Sequence, residues 1–118
     1  MDVCIGVVGP CAAGKTTLVN KLRKMGFNVR HIAQEHSYVP YMWKRIANPD
    51  ILIYLDVSYQ NTLKRRKLNW TVQEYQEQIN RLSHARASAD IIIDTNSLNA
   101  EEVFRIAYNF LEKWRNRR

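Results

Sequence analysis

The sequence predicts an α/β fold, a three-layer α/β/α sandwich around a small parallel sheet of about four strands. Apolar runs of strand length recur at 3–8, 51–55 and 91–93, and uninterrupted runs are typical of strands buried on both faces of a parallel sheet. Amphipathic helical patterns separate these runs, and such alternation favours helices on both faces of the sheet. We expect residues 1–118 to form a single domain.

The first strand leads into a glycine-containing loop and then a helix. Residues 9–16 read GPCAAGKT and fit the pattern G-x-x-x-x-G-K-[ST] at every specified position. Helical spacing then places on one face of a helix over 15–25 the residues Leu18, Val19, Leu22 and Met25. A strand, a tight loop and a helix N-terminus together turn successive backbone N–H groups toward a phosphate chain. We therefore predict binding of ATP or another nucleoside triphosphate.

Each residue type in this loop suits phosphate binding. Gly9 and Gly14 permit backbone angles and close approaches that a Cβ would block. Lys15 is a mobile cation for the β- and γ-phosphates, Thr16 offers a hydroxyl to Mg²⁺, and Thr17 adds a donor near the α-phosphate. The predicted nucleotide-binding residues of the loop are Gly9, Ala12, Ala13, Gly14, Lys15, Thr16 and Thr17. The cysteine of the loop, Cys11, either fills space as a small side chain or has a thiol made more acidic by the start of the helix.

The middle of the chain predicts a second strand, a short irregular section and a third strand. Gly26 ends the first helix, and residues 27–33 form a more polar strand. An irregular section with one short helix occupies 34–50, and the Pro49-Asp50 pair breaks the chain before the strand at 51–55. A helix over 59–67 follows.

The last third predicts a long helix, a strand and a final helix. Thr71 and Glu74 form a capping-box pattern, which predicts one helix over 71–89. Its apolar stripe consists of Val72, Tyr75, Ile79 and Leu82. Arg86 lies one turn further on the same side, where a guanidinium needs an anion or solvent. After the strand at 91–93, Asn99 and Glu102 cap a helix whose inner face carries Val103, Ile106, Phe110, Leu111 and Trp114.

Composition favours a folded protein with anionic partners. The chain carries 18 Lys and Arg against 11 Asp and Glu, a formal net charge of +7. Basic residues cluster at 64–67 and in the tail, which contains Lys113, Arg115, Arg117 and Arg118. Two cysteines provide no disulfide framework, and the apolar N-terminal run is too short to cross a bilayer. We therefore expect a cytoplasmic protein with no membrane partner.

Residues 49–111 carry a resemblance to a known family. Pro-Asp, Ile-Leu-Ile-Tyr-Leu-Asp-Val-Ser, Lys-Arg-Arg, Arg-Leu-x-x-Ala-Arg, Ala-Asp-Ile-Ile-Ile-Asp-Thr and Glu-Glu-Val follow one another in that order. With the loop at 9–16, this resembles the P-loop nucleotide and small-molecule kinases, which include adenylate kinase, shikimate kinase and dephospho-coenzyme-A kinase. The resemblance implies a P-loop NTPase fold, ATP and Mg²⁺ as cofactors, and transfer of a phosphoryl group.

The resemblance also implies roles for particular residues. Arg65 occupies the position of an arginine that packs on the nucleotide base, and Thr95, Ser97 and Leu98 belong to the loop that contacts adenine. Lid arginines that reach the transferring phosphoryl group match the region of Arg66, Lys67, Arg81 and Arg86. Together with the loop lysine and a carboxylate, the catalytic set is Lys15, Arg65, Arg86 and Glu35.

The metal carboxylate is either Glu35 or Asp56, beside the hydroxyl of Thr16. Asp56 ends the Leu-Asp-Val strand, but its family counterpart is generally not the magnesium residue. Glu35 is favoured by analogy with shikimate kinase, and it could double as a general base for an acceptor hydroxyl. His36 beside it is either an acceptor contact or a surface histidine.

Departures from the family leave the acceptor open. The interval 34–50 replaces another strand and an acceptor-binding insertion, and residues 67–71 replace a sizeable lid. The aromatic residues of these regions either stack an acceptor or cover a shortened core, and they are Tyr38, Tyr41, Trp43 and Trp70. The same cluster is a candidate surface for a homo-oligomer.

Three functions follow as expectations. The first is transfer of the γ-phosphoryl of Mg·ATP to a small anionic or hydroxyl acceptor, such as a nucleoside monophosphate. The second is a nucleotide-binding module or slow ATPase that acts as a switch with a partner. The third and weakest is a polynucleotide-end kinase or RNA-binding protein, because aromatic and basic residues do not alternate along one surface.

Overall fold

The computed structural model describes residues 3–66 and 69–116 and has an α/β fold. Its sheet contains four parallel strands in the order β2-β1-β3-β4. In chain order the strands are β1 (Cys4–Val8), β2 (Asn28–His31), β3 (Ile51–Asp56) and β4 (Ile91–Asp94). The predicted small parallel sheet is therefore confirmed.

Six helices connect and follow the strands in the described part of the chain. They are α1 (Lys15–Lys24), α2 (Met42–Ala47), α3 (Tyr59–Arg65), α4 (Val72–Arg81), α5 (Ser83–Ser88) and α6 (Ala100–Asn116). A single 3-10 turn, Gln34–His36, comes directly after β2. The interval between β2 and β3 thus contains two short helical elements where the sequence predicts a largely irregular section.

Alternating residues of β3 face two separate hydrophobic cores. Ile51, Ile53 and Leu55 pack in a core with buried residues of α1 and α6. Leu52 and Tyr54 pack on the other side of the sheet with residues of α2 and α5 and with Leu82 between α4 and α5. Because every one of these five side chains is almost fully buried, β3 reads as a continuous apolar run, as expected for a strand covered on both faces.

The strand order reverses between β1 and β3. The chain passes from β1 through α1 to β2 on one side, whereas β3 and β4 lie on the other side. In open parallel sheets, ligands bind outside the carboxyl ends of the strands at such a reversal. The loop at 9–14, the Gln34–His36 turn and the segment after Asp94 all follow carboxyl ends of strands.

The predicted single helix over 71–89 is wrong. Its capping box is present, but the helix stops at Arg81 and a second helix starts at Ser83. At the junction the Leu82 N–H is shared between the carbonyls of Gln78 and Ile79, and the Ser83 hydroxyl donates to the Asn80 carbonyl at 2.9 Å. Such local bonds compete with the regular helical pattern.

Other predicted boundaries and faces need correction. The second strand is shorter than 27–33, and the helix predicted over 59–67 ends at Arg65. Val72 and Ile106 are exposed, so neither belongs to a buried helix face. The predicted Asn99–Glu102 cap is confirmed by two reciprocal bonds of 2.8 and 2.9 Å. The predictions for Lys67, Arg117 and Arg118 lie outside the described residues.

Within the described part of the chain, no helix combines the length and the apolar character that a membrane crossing requires.

Candidate active site

The loop between β1 and α1 has a backbone that demands small residues. Gly9 and Gly14 have φ angles of 155° and 94°, and Ala12 also has a positive φ of 66°. A Cβ on Gly9 would overlap the carbonyl oxygen of Leu55. The loop therefore lies directly against the end of β3, and it enters α1 with Gly14 in the left-handed region.

Lys15 folds back across this loop. Its side chain is only 6% exposed, and its Nζ donates to the carbonyl oxygens of Gly9 at 2.6 Å and Pro10 at 3.0 Å. The same ammonium lies 2.8 Å from a carboxylate oxygen of Glu35. All three contacts are buried, so the cation is held at the start of α1 by oxygen atoms on several sides.

Glu35 is a buried carboxylate contributed by the 3-10 turn after β2. The residue is 3% exposed. One oxygen, Oε2, pairs with Lys15, whereas Oε1 is buried and has no hydrogen-bond partner among the described residues. A buried oxygen without a partner is costly, so a ligand that contacted Glu35 Oε1 would remove an unfavourable contribution to stability.

Arg81 supports this turn from α4. It donates to the Glu35 backbone carbonyl at 3.3 Å and stacks over the ring of Tyr38, with the guanidinium carbon 4.4 Å from the ring centroid. An ion pair with Glu77 at 3.9 Å adds a third contact. Arg81, which the resemblance matches to the region of the lid arginines, is thus tied to the backbone beside the buried carboxylate and does not line the cavity described below.

Arg65, near the end of α3, connects the loop to the segment after β4. Its guanidinium donates to the carbonyl oxygen of Ala12 at 3.2 Å and to the hydroxyl and carbonyl of Thr95 at 2.9 and 2.5 Å. Thr95 is itself 1% exposed and donates its hydroxyl to the Asp56 carbonyl at 2.7 Å. Arg65 thus lies at the rim of the loop between β1 and α1, where three hydrogen bonds fix its orientation.

These groups surround one cavity of about 520 Å³. It brings together ten of the predicted site residues: Ala12, Ala13, Gly14, Lys15, Thr16, Thr17, Glu35, Arg65, Thr95 and Leu98. Gly9 lies behind the loop, where its carbonyl accepts from Lys15. The lining does not include Ser97, Asp56 or Arg86, so the structure does not bring these three to the cavity.

Asp56 and Arg86 instead contact each other at 3.4 Å. The Arg86 guanidinium carbon also lies 5.6 Å from the centroid of the Tyr54 ring. Burial, followed by the negative charge of Asp56, raises the pKa of Tyr54 far above its ordinary value. Arg86 therefore has both an anionic partner and contact with solvent, as its position on the helix predicts. Its partner is Asp56, and neither residue lines the cavity.

Two polar residues at the site were not found by sequence reasoning. Gln78 is buried and holds Cys11 with both ends of its amide, because Oε1 accepts from the Cys11 N–H at 3.0 Å and Nε2 lies 3.1 Å from the thiol sulfur. Gln34 accepts from the Trp43 N–H at 2.8 Å and donates to the carbonyls of Val39 and Arg81. A polar residue within an apolar stripe was the available signal for Gln78.

His31, the last residue of β2, also lines the cavity. Partial desolvation, and then the positive charge of Lys15, lower the pKa of His31 below its ordinary value of 6.5. His36 lines the same cavity, with Nε2 3.9 Å from Glu35 Oε2 and a side chain that is 62% exposed. Two histidines therefore flank the buried ion pair.

The aromatic residues divide between the two roles considered from the sequence. Trp43 is buried in the core formed with α5, and its indole N–H donates to His84 Nδ1 at 3.1 Å. Trp70 packs edge-on against Tyr75. Tyr38 and Tyr41 are 84% and 49% exposed, so these two remain available for a ligand or a partner.

No protein-family model matches this chain, and none of the curated proteins matches it.

Proposed function

We propose that the chain has a P-loop NTPase fold and transfers the γ-phosphoryl of Mg·ATP to a small acceptor that carries a hydroxyl or an anionic group. The observation that supports this most is the buried pair of Lys15 and Glu35 at the start of α1. The pair puts a cation suited to phosphate beside a carboxylate whose Oε1 lacks a partner among the described residues.

The charge of the cavity favours a polyphosphate. Lys15, Arg65 and Arg66 line it, against Glu35 as the lining carboxylate of the described residues. The first turn of α1 adds backbone N–H groups that have no partner within the helix, together with the positive end of the helix dipole. Phosphate oxygens would satisfy these donors without any movement of the sheet.

The residues present fit Mg²⁺, which in this proposal supplies charge neutralisation between the phosphates. Thr16 is exposed toward the cavity, and Glu35 offers a buried oxygen without a partner. Hydroxyl and carboxylate oxygens are the ligands that Mg²⁺ prefers. Asp56 fits less well, because its Oδ1 accepts from the Val57 N–H, its Oδ2 pairs with Arg86, and it lies outside the lining.

The same side chains account for transfer. Lys15 exchanges its carbonyl partners Gly9 and Pro10 for phosphate oxygens, and Arg65 neutralises charge from the other side of the loop. The acceptor hydroxyl oxygen bonds to the γ-phosphorus while the bond between that phosphorus and the β–γ bridging oxygen breaks. The hydroxyl proton passes to Glu35, and ADP leaves with the bridging oxygen.

The test is ³¹P NMR of the protein with Mg·ATP, alone and then with nucleoside monophosphates and small hydroxyl acceptors. A new phosphorylated acceptor resonance together with ADP is the expected result. Lys15→Met should remove transfer, whereas Lys24→Met, on the exposed side of the same helix, should keep it. ATP resonances that neither shift nor disappear at any protein concentration would refute both binding and transfer.

A nucleotide-binding module that works with a partner is the second candidate. It is favoured by an exposed apolar surface on the short segment between β2 and β3, where Tyr38, Tyr41 and Ile46 are 84%, 49% and 68% exposed. Perturbed ATP resonances with only slow release of inorganic phosphate would favour this function over transfer. Size-exclusion chromatography with and without Mg·ATP would then show whether the nucleotide changes the oligomeric state.

A further inference from the structure

Three different metal-binding side chains meet at the edge of the phosphate loop. Cys11, Glu35 and His36 each offer one ligand atom, and these atoms lie within 4.8 Å of one another. They come from two separate segments, the loop after β1 and the turn after β2, which the parallel pairing of β1 and β2 brings side by side. From this cluster we propose a site for a thiophilic divalent ion of the zinc type.

The buried carboxylate is an independent reason to expect a ligand here. Glu35 is 3% exposed, and its Oε1 has no hydrogen-bond partner among the described residues. A cation bound at this carboxylate would stabilise the oxygen that lacks a partner. His36 Nε2 lies 3.9 Å from the other oxygen, Oε2, which the ion would share with Lys15.

The donor set selects the type of ion. A thiolate, an imidazole and a carboxylate are common ligands of Zn²⁺, whereas Mg²⁺ takes oxygen ligands and avoids sulfur. Three protein ligands leave a fourth tetrahedral position open toward the cavity. Binding requires the Cys11 thiol to lose its proton to solvent, because the thiolate is the ligand.

Only a small contraction is needed to reach bonding geometry. Metal–ligand lengths of about 2.0–2.3 Å place tetrahedral ligand atoms roughly 3.5 Å apart, against separations of up to 4.8 Å in the cluster. His36 is exposed, and its Nε2 already lies 3.9 Å from Glu35 Oε2. Gln78 already orients Cys11, since its amide contacts both the backbone N–H and the sulfur. Supporting contacts of this kind fix the position of a ligand.

One neighbouring charge opposes the ion. The ammonium of Lys15 lies 2.8 Å from Glu35 Oε2 and repels a second cation at the carboxylate. Removing that charge should therefore strengthen metal binding. We expect Lys15→Met to tighten binding of the metal ion at least about tenfold. A merely structural role of the three ligands would not produce this effect.

The test uses Co²⁺ as a spectroscopic substitute for zinc, with the full chain free of any purification tag and under a non-thiol reductant. One equivalent of Co²⁺ should produce a thiolate-to-cobalt charge-transfer band, and Zn²⁺ should displace it. Cys11→Ser should abolish the band, and Cys4→Ser should retain it. Glu35→Gln and His36→Gln should weaken binding at least about tenfold, and His84→Gln should not.

A second measurement needs no variant. Zn²⁺ should protect Cys11 from alkylation and leave Cys4 unaffected, as read by mass spectrometry of the modified peptides. Absence of the cobalt band, its persistence in Cys11→Ser, unprotected alkylation of Cys11, or no gain from a Lys15→Met protein that circular dichroism shows to be folded would each overturn the proposal. None of these measurements uses a nucleotide, so their outcome is independent of the proposed phosphoryl transfer.

Discussion

The Lys15–Glu35 pair allows a quantitative prediction about the stability of the protein without a ligand. Both side chains are almost fully buried, 6% and 4% exposed, and their charged atoms are 2.8 Å apart. A mutation that removes one partner leaves the other charge buried and unpaired. We therefore expect Lys15→Met to destabilise the fold, although the sequence alone suggests a loop lysine that can be changed without affecting the fold.

The two single variants should lose different amounts of stability. In Lys15→Met the Glu35 carboxylate loses the ammonium at 2.8 Å and stays buried, so the free energy of unfolding should fall by about 3–5 kcal/mol. In Glu35→Gln the Lys15 ammonium keeps the carbonyls of Gly9 and Pro10. That loss should be about 1–3 kcal/mol.

The double variant removes both charges together. It leaves neither charge buried alone, so its loss should be smaller than the sum of the single losses by at least about 2 kcal/mol. The measurement is urea unfolding at pH 7, followed by circular dichroism, for the four proteins of the cycle. A matched control is the exposed pair of Lys21 and Glu101, 3.5 Å apart, whose Met and Gln variants should couple by less than about 1 kcal/mol.

The refuting result is additivity. If the losses at Lys15 and Glu35 add to within about 0.5 kcal/mol, the two charges do not depend on each other in solution. The exchange of partners proposed for Lys15 on nucleotide binding would then have no basis. A double variant that couples no more strongly than the Lys21–Glu101 control would mean the same.

Three further predictions concern the loop, the cavity and the last helix. Gly9→Ala should lower the free energy of unfolding by about 1–3 kcal/mol in urea unfolding, because its Cβ overlaps the Leu55 carbonyl. His31 should titrate below 6.5 by NMR, since desolvation and Lys15 disfavour its imidazolium; tripolyphosphate should raise that pKa. Asn99→Ala should cost about 1 kcal/mol in thermal unfolding, because it removes a cap that accepts from the third residue of α6.

Controls and contrary outcomes distinguish these predictions. Gly26→Ala shares a positive φ with Gly9 but meets no neighbouring atom, so equal losses at both positions would contradict the overlap argument. A lowered pKa of His31 means that the unfolded chain binds the proton first, so stability should fall as pH drops below about 6.5. A His31 pKa at or above 6.5, or a neutral Asn99→Ala, would contradict the respective contacts.

Much of the sheet and loop could be predicted because local signals and burial agree there. The apolar run of β3 predicts a central strand, and β3 does lie between β1 and β4. The cap at Asn99 and the capping box at Thr71 depend on residues three positions apart, so spacing alone reveals them. Patterns between residues close in the sequence therefore suffice to predict the strands, the loop after β1 and these helix caps.

Contacts between distant segments could not be predicted in the same way. The bonds from Gln78 to Cys11 span 67 positions, and the contact from Arg81 to the Glu35 carbonyl spans 46. The sequence around Arg86 does not indicate that this residue pairs with Asp56, at the end of β3, and lies outside the lining of the cavity. Such pairs depend on how α4 and α5 pack over the ends of the strands, which periodicity does not reveal.

The buried carboxylate links both proposals to the fold. Glu35 lies in a turn next to β1 and β2 because parallel pairing brings their carboxyl ends together, and Arg81 fixes its backbone from α4. Lys15 neutralises one oxygen, while the other has no partner in the described part of the chain. This fold buries such an oxygen beside Cys11 and the loop between β1 and α1, so it retains an unfavourable group that a cation would stabilise. In our proposal the thiolate of Cys11 favours a zinc-type ion over magnesium.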